Sequence, residues 1–95
     1  MGAQTRYSRR SAPSWAETVG AMKANRVEVY ATCTGCGWRE NPLPLDPIIE
    51  KLGADYTLFD RRPACREKGC VGRVLFMYRP GGNHGSPFRP CKTTL

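Results

Sequence analysis

Four cysteines in two pairs constrain this chain more than any other feature. Cys33-Thr34-Gly35-Cys36 and Cys65-Arg66-Glu67-Lys68-Gly69-Cys70 each close a short turn containing glycine, and 28 residues separate the pairs. The segment expected to fold, from Arg26 to Cys91, is of a size where a hydrophobic core is marginal and staples are common. Val27, Val29, Leu45, Ile48, Ile49 and Leu52 supply one part of its apolar residues, and Leu58, Phe59, Val74, Phe76 and Phe88 the other. Together they make one thin layer. A tetrahedral ion bound by thiolates asks for two short chelating turns brought together from separate parts of a chain. The spacing therefore predicts a structural Zn²⁺ site with Cys33, Cys36, Cys65 and Cys70 as ligands.

Other uses of these thiols fit less well. A redox dithiol at Cys33/Cys36 would open a helix in a βαβ setting, and the following Gly37-Trp38 and Pro42 speak against one. An iron–sulfur cluster also takes four thiolates, but the spacing lacks the ferredoxin pattern. Zinc deaminase chemistry needs a His-x-Glu set that the chain does not contain. No secretory signal is evident, and the odd count of five cysteines would leave one unpaired in a disulfide framework. Cys91 and His84 are alternative ligands; the plainer readings are a buried or tail thiol for Cys91 and a solvated loop residue for His84. Gly35, Gly37, Gly69 and Gly72 are expected to supply the positive φ that such turns need.

The formal charge of +7 is unevenly placed. Residues 1–26 carry five basic groups against one acidic, residues 27–70 six against seven, and residues 71–95 four against none. Two positive ends around a nearly neutral middle favour a polyanionic partner or an acidic protein surface. Plain solubility accounts for the same numbers equally well. No apolar run approaches membrane-spanning length. Ser8-Arg9-Arg10-Ser11 touches on a twin-arginine signal but has no apolar region after it, so a cytoplasmic location is expected.

Along the chain, residues 1–25 read as a basic tail with a short helix, 26–91 as the metal-bearing domain and 92–95 as a C-terminal tail. Ser14 and Glu17 form a capping-box pattern for a helix from Trp15 to Ala24, with Trp15, Val19 and Met22 on one face. So short a helix must pack on its own domain, the plainer choice, or on a partner. Arg26 to Thr32 reads as a strand entering the first cysteine turn. Asp46 is expected to cap a helix with Pro47 in its first turn, Lys51 in its last and Gly53 as its stop, burying Ile48, Ile49 and Leu52. Tyr56 to Asp60 reads as extended and Val71 to Arg79 as the strongest strand. Residues 80–87 read as a loop, with Phe88 to Cys91 returning as a short edge strand.

Taken in this order, a strand, Cys33-Thr34-Gly35-Cys36-Gly37, an excursion, Cys65 to Cys70, and a strand from Gly72-Arg73-Val74, the residues resemble the zinc-ribbon group. Arg61-Arg62-Pro63-Ala64-Cys65-Arg66, with Gly69-Cys70-Val71-Gly72-Arg73-Val74, looks like small bacterial proteins of zinc-ribbon type. The resemblance covers about residues 27–80. It implies a small α+β fold, two cysteine knuckles on a short antiparallel sheet, here with an inserted helix that the simplest ribbon lacks. Zinc ribbons serve in transcription, in translation and as subunits of assemblies, so the fold by itself does not choose a function.

Two functions remain. The first is binding of RNA or DNA by Arg61, Arg62, Arg73, Arg79, Arg89 and Lys92, with Trp38-Arg39 as a second contact and Tyr78 and Phe88 interleaved. Arginines neutralise phosphates and exposed aromatics stack on unpaired bases. The plainer reading places Tyr78 and Phe88 in the core, the arginines on a solvated face and Trp38 over the metal. The second is a small accessory subunit or adaptor, with the Trp15 helix and basic tails folding on a partner. No nucleophile–base pair or open metal position can be named, so no enzyme and no small-molecule substrate are expected.

Overall fold

The computed structural model describes residues 12–82 and 85–93. The chain forms α1 (Val19–Ala24), β1 (Glu28–Cys33), β2 (Arg39–Glu40), α2 (Asp46–Leu52), β3 (Val74–Arg79) and β4 (Arg89–Pro90). The strands make one antiparallel sheet in the order β2-β1-β3-β4. It is a small α+β fold. Among the described residues, no helix is long and apolar enough to cross a membrane.

Alternation along β1 separates the two faces of the sheet. Val29, Ala31 and Cys33 are buried, whereas Glu28, Tyr30 and Thr32 keep part of their surface in solvent. Opposite them in register stand Tyr78, Phe76 and Val74 on the inner face, and Arg79, Met77 and Leu75 on the outer face. Both helices pack on the inner face. Ala16, Val19 and Met22 are fully buried against Val29, Leu58, Phe59 and Tyr78, with Ile48 and Ile49 of α2 at the edge of that cluster.

The N-terminal helix therefore packs on its own domain, but it is shorter than expected. Residues 14–18 are turn and bend, and the cap is Thr18, whose hydroxyl accepts from the Ala21 amide at 3.1 Å. Ser14 and Glu17 are not the capping pair. The physical reason lies in the core: the Val19 and Gly20 amides donate to the Tyr56 and Ala54 carbonyls at 2.8 and 2.9 Å. The turn before them sets Trp15 against Tyr78, with ring centroids 5.7 Å apart.

The second helix also departs in detail. Leu45 is its N-cap, without a side-chain hydrogen bond; Asp46 is the first helical residue and pairs with Lys23 of α1. Gly53 does end it, at φ 95°. Leu52 is 54% exposed rather than buried, because α2 lies along the edge of the sheet's inner face and only one side of it finds apolar neighbours. Tyr56 to Asp60 is irregular, closing in a turn at 59–60 that buries Leu58 and Phe59. The long strand starts at Val74, not Val71, with one bridge beyond it between Arg73 and Ala64. β4 is the expected edge strand. His84 lies outside the described residues.

Candidate metal centre

Both cysteine turns sit at one end of the sheet. β1 delivers Cys33 into a hairpin that returns as β2, closed by the Cys33 amide on the Trp38 carbonyl at 2.7 Å. The second turn is enclosed by the Ala64–Arg73 bridge just before β3, and is closed by the Cys65 amide on the Gly72 carbonyl at 3.1 Å. The Thr34 amide reaches the Arg73 carbonyl at 3.1 Å and ties one turn to the other.

The glycines act in two ways. Gly37 and Gly69 adopt positive φ (82° and 83°), as expected. Gly35 and Gly72 do not, and are small for a different reason: the turns meet backbone to backbone there. A methyl group on Gly72 would lie 2.8 Å from Cys33 Sγ and 2.9 Å from the Gly35 Cα. A methyl group on Gly35 would lie 3.0 Å from the Gly72 Cα.

That approach brings Cys33, Cys36, Cys65 and Cys70 together, with all four sulfurs within 4.8 Å of one another. Cys33 Sγ is 3.6 Å from Cys70 Sγ, and Cys36 Sγ is 3.8 Å from Cys65 Sγ. A disulfide would be about 2.05 Å long, and the cysteines are free. An ion held by four thiolates at about 2.3 Å in a tetrahedron spaces its sulfurs by about 3.8 Å. The sulfurs thus stand at the separation a metal ion needs. Cys91 is not among them: it is buried in the core, with its amide on the Phe76 carbonyl at 2.9 Å.

Backbone amides aim at the sulfurs. Gly35 and Cys36 donate to Cys33 Sγ at 3.2 and 3.5 Å, Glu67 donates to Cys65 Sγ at 3.4 Å, and Gly72 donates to Cys70 Sγ at 3.3 Å. The Cys36 and Gly35 amides pull the Cys33 thiol down to about 6. At Cys65 the Glu67 amide acts the same way, but burial and the three neighbouring sulfurs outweigh it and push the thiol up to about 12. Cys36 is raised likewise: burial and the Cys70 and Cys33 sulfurs overcome the Trp38 amide. Four sulfurs this close cannot all carry charge unaided, and a bound cation reverses that balance.

The basic residues divide. Arg62 donates to the Val74 carbonyl at 2.9 Å and to Thr34 Oγ1 at 3.4 Å, while Arg73 donates to the Arg62 carbonyl at 3.4 Å. These two stand beside the knuckles. Arg39 pairs in register with Thr32 on the outer face, and its guanidinium lies over the Tyr30 ring, 4.2 Å from the centroid. Arg79 holds Glu28 through two bonds of 3.0 and 2.8 Å and lies over Phe88 at 4.4 Å. Arg61 leans on Tyr56 instead, Arg89 stands opposite Tyr78 on the inner side of the edge strand, and Lys92 is exposed beyond it.

Tyr78 is core, against Phe59 and Trp15. Phe88 packs edge-on to Tyr30 at 4.7 Å. Trp38 is half-buried and lines both the cleft at the knuckles, with Cys36 and Cys70, and an apolar groove of about 610 Å³. Tyr30 was not singled out in the sequence; its signal is alternation in β1, which puts it opposite the buried face. The chain matches no family model, and neither curated proteins nor solved structures show a significant likeness to it.

Proposed function

We propose that this chain is a zinc-organised binding module, non-catalytic, whose partner is nucleic acid. Zinc is favoured over other ions because four thiolates around a tetrahedral, closed position are its structural preference. The sulfur separations suit a single ion better than a cluster, which spreads its ligands more widely. In this reading the two knuckles form a zinc ribbon carrying an inserted helix, and the protein works in the cytoplasm of a bacterial cell.

The observation that carries the nucleic-acid reading is the convergence of Arg39, Arg62, Arg73 and Arg79 on the outer side of the sheet. The register leaves one acid among these strand positions, Glu28, and it is paired with Arg79. Three arginines remain to neutralise phosphates. Fluorescence anisotropy with a labelled oligonucleotide tests this. Affinity falls as salt rises, and replacing Arg62 and Arg73 together by Ala flattens the slope by about 0.7–0.9 per lost contact. Absence of binding at low salt contradicts the reading.

A second reading, an accessory subunit on a protein surface, is favoured by the apolar groove between α2 and the sheet. Leu43, Ile48, Tyr56 and Phe76 line it, and the half-exposed Leu52 stands at its rim. A purified partner that binds with little salt dependence and is lost on Leu52→Asp supports this second reading. The Trp15 helix, by contrast, is engaged by its own core.

A further inference from the structure

We infer that the outer face of the sheet is a platform on which unpaired bases stack, so that the preferred partner is single-stranded nucleic acid. The inference rests on the nucleic-acid reading and adds what that reading leaves open: the strandedness of the partner and the surface that holds its bases.

A sheet face usually buries itself against another layer or carries polar side chains. This one is mixed: Glu28, Thr32, Arg39 and Arg79 share it with a partly exposed apolar strip. Tyr30, Leu75 and Met77 lie on it by register, Phe88 packs against Tyr30, and all four keep part of their surface in solvent. None of the four joins the buried cluster that the helices cover, whereas Phe76 and Tyr78, on the opposite side of β3, do. The helices pack on the inner face, which leaves this aromatic and aliphatic strip uncovered by either of them.

Charge decides what suits the strip. Arg62 and Arg73 stand at its knuckle end and Arg39 at its edge, over Tyr30. The acid on it, Glu28, is already held by Arg79. An apolar protein surface would have to leave these arginines desolvated or supply matching carboxylates. A single strand supplies phosphates at its edge and flat bases at its centre. Arg39, held over the Tyr30 ring, offers a base a cationic plane, one of the surfaces on which unpaired bases stack. β3 is about 20 Å long. A duplex keeps its bases paired and presents only phosphates to such a face.

The test uses the full zinc-loaded chain and three probes of equal length: a single-stranded oligonucleotide, the same sequence as a duplex, and an abasic strand with backbone only. Anisotropy at moderate salt gives the single strand about tenfold or more over both others. Tyr30→Leu, which keeps an apolar residue in the strand, weakens single-strand binding by about 5- to 150-fold per stacked base lost. Arg61→Ala, off the face, changes it little. Equal affinity for duplex or abasic strand overturns the platform while leaving the phosphate reading in place, and needs no variant. Absence of salt-dependent binding to every probe overturns both. Tyr30-dependent self-association by sedimentation without oligonucleotide binding assigns the face to protein and likewise overturns the inference.

Discussion

The two ends of the sheet are held by different physics. At the core end, Ala16, Val19 and Met22 show no exposed surface, and Leu58 is 1% exposed. Apolar burial is enough there. At the knuckle end Cys36 is exposed and Val71 is 98% exposed. What lies between is glycine backbone and four sulfurs, whose partners are backbone amides and one another. Hydrophobic burial cannot hold that end. The difference teaches why a chain with so thin a core spends four of its five cysteines in one place, and why the fifth, Cys91, sits in the core as an ordinary buried thiol.

Removing a ligand at the knuckle end has the largest expected effect. Cys36→Ser, or a chelator, withdraws folding free energy on the order of 10 kcal/mol, against a total of about 5–15 kcal/mol for a small domain. Loss of amide dispersion by NMR is expected throughout, and an unchanged spectrum would refute a structural metal. A cut at the other end is smaller. Met22→Ala costs about 2–5 kcal/mol in urea denaturation, yet the surviving folded protein keeps its full metal complement. Metal loss at equal stability would show that the two ends are not separable.

The core end also responds to alkaline pH. Burial, aided by Asp60, pushes the Cys91 thiol up to about 12. A thiol whose folded value is raised keeps its proton more tightly when native. Its contribution is therefore complete below its usual value near 9 and is lost as pH climbs toward 12. The loss reaches about 2 kcal/mol by pH 10.5, seen as the difference in alkaline slope between the chain and Cys91→Ala. Identical slopes would mean the thiol is not buried. The smallest effect belongs to Thr18→Ala, about 1 kcal/mol for a lost cap. Ser14→Ala, by contrast, should leave stability within error; the reverse order would restore the longer helix.

What the sequence made legible follows from what is local. Cysteine spacing named the four sulfurs that meet, because short chelating turns are written in consecutive residues. Alternation in β1 and the Gly53 stop were readable for the same reason. The first helix was misplaced because Thr18 competes with Ser14 as a cap, and only the Tyr56 and Ala54 carbonyls decide between them. Gly35 and Gly72 were identified as special, but close approach of two backbones cannot be told from a positive φ in sequence. The division of arginines was hidden altogether. Arg39 and Arg73 share a face only through the pairing of β1 with β2 and β3, and Arg61 parts from Arg62 because it lies over Tyr56 while Arg62 reaches Val74 and Thr34.

One measurement bears on the centre of the account most directly: native mass spectrometry of the purified chain beside its Cys36→Ser variant. A single zinc ion on the folded chain and none on the variant is the expected result. A compact, well-ordered chain carrying no metal, with its charge-state distribution unchanged by Cys36→Ser, would contradict it.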